Sequence, residues 1–558
     1  MRVFLSLFLA LSGYVAAEST EVTCEPRAPS AKGGYPFSRQ TAASYEIPDQ
    51  SLITDIIVTN LPVFDETNPD ENNVIYRFAN RFHILTRPDK ISSQLLFKVD
   101  DLYVAQKTDE SARILRNQKY LYDADIRPVS LCNNNVMVEV ITRDVWSFTP
   151  EASFSRSGGE NEFRLGVREI NLFGTGVELA ARHKKDIDRD STEFVYKDKN
   201  IKNTRVSGKL VYSDNDDGSE FFGGLELPFY SLDSLRSWQV SLGQADRIDT
   251  QYFRGEDTTE VQRESEDYLV RYGWSDGLVN GKSKRWSVGY RFQKEAFTAT
   301  DELSPPGIFP SDKKLSYPFL DFSQIEAVYT TDTNKNQIHR TEDIHLGHEL
   351  WARVGYAAEA FGSDTDRLLL QGEFSDTLAY DRKKWLQHEL YWYGLYNLEE
   401  GQSEDVTIDY QVRYLREQTK HRAFFASLQA TYTHNLNTNT QLFYGGDTGA
   451  RAFDNRFQLG DRRIALTLEE RMYTDIHLFN LIRVGWAMFI DIGKAWNPDE
   501  DDGIEDDYLA SAGLGLRLAS SKSDKGSLLH IDLAFPLTNK DDPDVDSAEV
   551  SVKMKTRF

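Results

Sequence analysis

The sequence predicts a mainly β protein, a transmembrane antiparallel β-barrel preceded by one small α+β domain. Three observations predict it. From about residue 148 to the end, short segments alternate apolar and polar residues with period two, split by Gly, Asp, Asn and Ser. Those segments run near the ~9–11 residues that a tilted membrane strand needs. Their connectors alternate as well. Residues 477–480 and 520–526 are short, whereas 497–507 and 538–548 are longer and acidic, the rhythm of tight inner turns and extended outer loops.

At the N-terminus, Arg2, the apolar run Val3–Leu11 and the small residues Val15 and Ala17 read as a cleaved secretory signal over 1–17. Residues 18–52, with Pro26, Pro29, Gly33, Gly34, Pro36 and Pro48, read as a linker or extended arm. Residues 53–145 read as the α+β domain. Ile53–Val63 is β-branched and strand-like, and Ile91–Phe97 and Ala105–Gln118 favour helix. Ile126–Val129 is a short strand, and Val136, Val138 and Val140 mark a closing one. The two cysteines, Cys24 and Cys132, have two readings in an oxidising compartment: one disulfide or two unpaired thiols.

The barrel spans 146–558, and its last segments are the clearest. In 481–496 the even positions include Ile482, Val484, Trp486, Met488 and Ile490, whereas Arg483 and Asp491 fall on the odd face. In 527–537 Leu529, Ile531, Leu533 and Phe535 oppose His530 and Asp532. In 550–558 Val550, Val552, Met554 and Phe558 oppose Ser551, Lys553, Lys555 and Arg557. Trp496, Tyr508 and Phe558 stand near segment ends, where interface aromatics belong. The raw segment count is nearer twenty strands.

The chain has 558 residues, 64 basic against 88 acidic, for a net charge of -24. That balance argues against nucleic acid as a partner. Mean hydropathy is -0.52, which a barrel tolerates because only alternate strand residues meet lipid. The sequence has no G-x-S-x-G, P-loop, H-E-x-x-H or C-x-x-C motif. No catalytic residue, metal ligand or cofactor is therefore expected. His345 and His348 read as ring-stacking or lumenal polarity rather than metal ligands.

Several motifs then carry a resemblance. The 53–145 segment has Leu95-Leu96-Phe97-Lys98, Tyr103, Glu110, Leu115 and Tyr120-Leu121. Asn171-Leu172-Phe173-Gly174-Thr175-Gly176 forms an early turn motif. Gly445 to Phe453 contains Arg451-Ala452-Phe453, and Phe489-Ile490-Asp491-Ile492-Gly493 follows in a strand. Together with the terminal Phe558 these resemble the POTRA-plus-barrel outer-membrane assembly and translocation family, which includes BamA- and TamA-like insertases, two-partner secretion translocators and bacterial surface antigens. The chain looks like a single-POTRA member, although Ala452 stands where the family has Gly.

The resemblance implies sixteen strands and a bacterial outer-membrane location with the POTRA-like domain in the periplasm. It also implies a first strand near 148–157 that pairs with the last, and insertion or export of β-rich clients through a lateral seam. The implied partners are outer-membrane lipid, unfolded or β-rich clients and accessory assembly proteins. The alternative is a passive pore or structural surface antigen. From the residues themselves, Asp491 and Glu469 fall on lumenal faces, so Arg451 is expected to lock the long loop inside the barrel through them, with Phe453 and Gly493 in the same site. Asn171, Gly174 and Gly176 are expected in the turn, and Val552, Met554 and Phe558 in the C-terminal strand signal. The acidic loops have two readings, solvated chain or loose binding of divalent cations.

Overall fold

A small α+β domain and a closed barrel divide the chain between them, and their contacts position the candidate site. The computed structural model describes residues 50–132, 134–301, 303–381, 383–498, 507–524, 528–555 and 557–558. The expected signal segment, most of the arm, Cys24 and hence its pairing with Cys132, and acidic residues 499–506 lie outside the described residues.

The domain runs β1 (Leu52–Leu61), α1 (Val74–Phe82), α2 (Pro88–Ser92), α3 (Ala105–Arg116), β2 (Leu121–Cys132) and β3 (Asn135–Asp144). Its sheet order is β1-β3-β2, with β3 parallel to β1 and antiparallel to β2. The alternation of Val136, Val138 and Val140 drives all three into one core with Ile53, Ile91, Leu95, Leu115 and Leu121. Full burial of each such side chain contributes about 1.5–3 kcal/mol. Pro88 starts α2 earlier than the expected Ile91, because its fixed φ suits the first helical position. Helix α1 is an addition to the predicted elements, capped by the Asn73 side chain, which accepts from the Tyr76 amide at 2.9 Å.

The barrel has twenty strands, from β4 (Phe148–Ser157) to Glu549–Lys555, and its neighbours pair antiparallel. Twenty agrees with the segment count and corrects the sixteen implied by the resemblance. The alternation falls as predicted. On the strand Ile482–Trp496, Trp486, Met488 and Ile490 point outward and are exposed, whereas Ala487, Phe489 and Asp491 are buried inside. Leu514, Leu516, Leu533, Phe535, Val550 and Met554 extend this outer apolar belt. A contiguous belt of this kind is what a hydrocarbon environment requires.

Phe558 departs from the expected outward alternation. The last strand ends at Lys555, and Phe558 turns inward instead of joining an outer girdle. It is buried with Tyr473, its ring 4.8 Å away, and its amide donates to the Asn336 carbonyl at 2.8 Å. The strand ladder sets a side chain's face only while the chain remains in it. In the acidic segment 538–548, Asp541, Asp544 and Asp546 are exposed, as in the solvated reading, and the segment has an ordered contact besides. Asp542 and Asp544 pair with Arg254, the latter at 3.1 Å, so these acids tie two outer loops together. Among the described residues no cluster of His, Cys, Asp and Glu is arranged to hold a metal.

Residues 327–348 are a long excursion between the strands Lys313–Glu326 and Glu349–Ala357, and carry the hairpin Tyr329–Asp332 with Glu342–His345. This hairpin bridges domain and barrel. Arg116 Nε donates to Asp343 at 2.9 Å, Thr341 donates to Asp123 at 2.8 Å, and Asn336 receives the terminal Phe558. His345 stacks on Tyr329 at 4.6 Å, in line with the ring-stacking reading.

The turn motif supplies a second bridge. Asn171 Nδ2 donates to Thr86 Oγ1 at 2.9 Å, and the Gly174 carbonyl accepts from the Arg87 amide at 2.9 Å. Gly174 and Gly176 have φ of 72° and 71°, and a Cβ on Gly174 would press into the Leu85 carbonyl. Glycine is therefore required for the domain to seat on the barrel. Gly174→Ala is expected to cost about 1–3 kcal/mol of local strain and to loosen the domain. Limited proteolysis of the refolded chain should then cut faster between 144 and 148 than in the wild type, and equal rates would contradict the docking role.

Candidate functional site

The site is built where the long loop between the strands Arg422–His434 and Arg462–Leu478 folds back into the lumen. Arg451 is at its tip. The guanidinium meets Asp491 through two bonds, Nε to Oδ2 at 2.7 Å and Nη2 to Oδ1 at 2.9 Å. It also reaches Glu469 at 3.3 Å and Asp532 at 3.5 Å. The Phe489 ring lies 3.4 Å beneath it, centroid to guanidinium carbon. Burial alone would lower the Arg451 pKa. The carboxylates of Asp491, Glu469 and Asp532 together outweigh burial, and the net direction is upward. The planar fork is thus matched to a carboxylate on a neighbouring wall strand, the geometry Arg serves better than Lys.

The predicted residues converge. Asp491 also accepts from Thr467 at 2.9 Å, and Glu469 accepts from Arg471 Nε at 3.0 Å. Phe453 is buried with Tyr444, Ala450 and Phe457 on the loop's apolar side. Gly493 makes room for this packing, since a Cβ there would lie 2.6 Å from the Tyr444 hydroxyl. Ala452 has φ of 81°, so the residue that replaces the family's Gly carries left-handed strain of about 1–3 kcal/mol. The ion pairs beside it hold that conformation in place. Asp532 and Arg517, a pair in direct contact, complete the network. The polar face of 527–537 revealed Asp532 as lumenal, but nothing in its spacing linked it to Arg451. Asn171, Gly174 and Gly176 lie in the domain-docking turn, apart from this lock. Val552 and Met554 lie on the last strand, whose Met554 side chain faces outward.

The same loop straps the place where the barrel closes. Lys553 Nζ of the last strand donates to the Gly446 carbonyl at 2.8 Å. On the other side, the Asn455 amide donates to the carbonyl of Gly158, in the turn after β4, at 3.1 Å. Between the two strands so strapped, the ladder is nearly absent. Among the described residues it consists of Val552 opposite Arg156, whereas all ten residues of β4 pair with the strand Glu160–Glu169. Among the described residues, the section Phe148–Phe154 of β4, nearest the domain, has no ladder partner on the seam side. Two features explain the gap. Pro150 lacks an amide donor, as befits an edge strand. Arg557 and Phe558 lie inward, the Arg557 carbonyl against His530 at 2.9 Å and the Phe558 amide on Asn336.

No family model matches the chain, and no curated protein matches it. Solved structures to which it is similar include CdiB from Escherichia coli, at 12% identity and a TM-score of 0.44, covering 93% of this chain and 92% of that one. CdiB from Acinetobacter baumannii has 12% identity and a TM-score of 0.42, over 91% and 74%. BamA from Haemophilus ducreyi lacking POTRA domains 1–3 has 12% identity and a TM-score of 0.36, over 89% and 85%. The architecture described above, a closed barrel behind a small α+β domain, rests on this chain's own strands and their pairing. The roles of the residues above come from their own geometry.

Removing Arg451 leaves the buried Asp491 without a cation, while Glu469 and Asp532 keep Arg471 and Arg517, and breaking a buried pair costs about 3–5 kcal/mol. Arg451→Ala is expected to lower the urea midpoint of the folded barrel, followed by heat-modifiable electrophoretic mobility. Arg451→Lys should lie between, since a point charge keeps attraction but loses the fork. Wild-type midpoints in both variants would show that the loop is held by other contacts.

Proposed function

We propose that this chain is a bacterial outer-membrane protein that inserts or exports β-rich clients. The α+β domain, POTRA-like in its element order, would face the periplasm and capture extended client segments. The seam between β4 and the last strand would then template them. The observation that carries this reading is that, among the described residues, the ladder has a single pair, Val552 with Arg156. An unpaired strand edge offers a row of amides and carbonyls to an incoming strand, and β-augmentation needs such an edge. The domain supplies a similar surface, because β2 has no strand on its outer side among the described residues. Arg116 and Arg340 cover its beginning at the carbonyls of Ala124 and Leu121, so capture falls to the stretch from Ile126 onward.

The mechanism is exchange of backbone hydrogen bonds and calls for no catalytic group, metal or cofactor. Its partners are membrane lipid, β-rich or unfolded clients and accessory assembly proteins, with nucleic acid disfavoured by the net charge of -24. A passive pore or structural surface antigen is the weaker reading. The lumen holds the Arg451 loop and receives Phe558 with the 327–348 hairpin at the domain end, an arrangement poorly suited to steady conduction.

A disulfide across the seam separates the readings. Val552 and Arg156 stand directly opposite each other, and directly opposite residues are the pairs whose Cβ atoms come nearest across a ladder. V552C/R156C, made with Cys24 and Cys132 replaced by Ser, is expected to fold normally, to lose client insertion when oxidised and to regain it on reduction. Full activity of the oxidised barrel would overturn the seam mechanism.

A further inference from the structure

Helix α1 is amphipathic in the opposite sense to a core helix. At 100° per residue, Val74, Ile75, Phe78 and Phe82 fall within one stripe about a quarter of the circumference wide. That stripe is 73, 74, 62 and 64% exposed, respectively. The helix is held by its other face. Tyr76 stacks on Phe64 at 4.3 Å and donates its hydroxyl to the Phe479 carbonyl. Asn80 clasps Phe64 at both its amide, 3.1 Å, and its carbonyl, 2.9 Å. The polar and aromatic side is thus used for packing, and four large apolar side chains point away from the protein. Ile84 and Leu85, both exposed, prolong the stripe beyond the helix.

The position of α1 identifies what covers that stripe. One end is fastened to the barrel turn 479–481, where Asn480 Nδ2 donates to the Asp70 carbonyl at 3.0 Å. Phe479 in this turn is 81% exposed, and Ile476 and Leu478 just before it are exposed outward at the end of their strand. The other end leads through Arg87 to the turn 171–176, where Phe173 is also exposed. The apolar surface of the barrel's domain end therefore continues onto α1. The two turns belong to strands on opposite sides of the seam, with the last strand and β4 between them in the ring. Charge agrees with this placement. The helix holds Arg77 and Arg81, both beside the stripe, and no acidic residue.

We propose that α1 is a membrane-interface anchor, lying in the headgroup boundary of the leaflet at the domain end of the barrel. Its apolar stripe enters the acyl region and Arg77 and Arg81 sit among lipid phosphates. The anchor fixes the domain against the bilayer along the arc of the barrel between the turns 479–481 and 171–176, an arc that includes the seam. This inference rests on the barrel being in a membrane and stands apart from the client reading.

Nitroxide accessibility tests it on the full chain, refolded into vesicles of phosphatidylcholine and phosphatidylglycerol, in a C24S/C132S background. F78C reports the stripe, and Q106C reports an exposed position on α3. Both lie on the surface, and heat-modifiable mobility confirms folding before labelling. The F78C label is expected to favour collisions with oxygen over a water-soluble nickel chelate, at a depth of about 5–10 Å below the phosphates. The Q106C label should show the reverse. R77E/R81E should draw the F78C label toward water. Equal chelate access at both positions would overturn the proposal. So would protection of F78C that persists in detergent with a doubled mass, indicating a second copy, or that arises only on adding a β-rich client.

Discussion

The two-pronged contact of Arg451 with Asp491 is the constraint on which the rest of the lumen depends. A loop folded into a barrel has many ways to be elsewhere, and its ordering costs conformational entropy at each residue. The contact overcomes that cost because three carboxylates and an aromatic face converge on one guanidinium in a buried site. With the tip fixed, Gly446 and Asn455 are delivered to opposite sides of the seam, where they bind Lys553 and Gly158. An ion pair in the lumen thus holds together a wall whose own ladder nearly fails.

The seam and the domain end of the barrel form one mechanical unit. Among the described residues the last strand has seven, and Phe558 beyond it lies inward. That inward position ties the C-terminus to the 327–348 hairpin at Asn336. The hairpin in turn grips the α+β domain through Arg116 with Asp343 and Thr341 with Asp123. A load on the domain therefore reaches the C-terminus through hydrogen bonds and ion pairs, without needing the outer apolar belt to move.

Much of this was legible from residue pattern. Period-two alternation located the strands, placed Asp491 and Glu469 in the lumen, and gave a count near twenty where the resemblance implied sixteen. The Arg451 lock followed from the resemblance, which marked the loop as lumenal, together with acids on inward faces. Other features were not legible for physical reasons. Phe558 has the right parity for lipid, but parity has no meaning once the chain leaves the ladder. Helix α1 hides its character because its apolar stripe is not in a core. Asp532 lies on a predicted inward face, yet only the closed ring brings it to the same guanidinium as Asp491. Pro150 was the unused signal, since a proline within a barrel strand points to an edge.

The most direct test of the strap is a distance across the seam. Nitroxides at the outward-facing Leu165 and Leu533 flank it, one strand removed on each side, and double electron–electron resonance reads their separation in vesicles. The wild type should give one narrow distance. Arg451→Ala should give a broader and longer distribution, as the loop lets go of Lys553 and Gly158. An identical narrow distance in both would mean that the seam holds without the lock and would contradict the account.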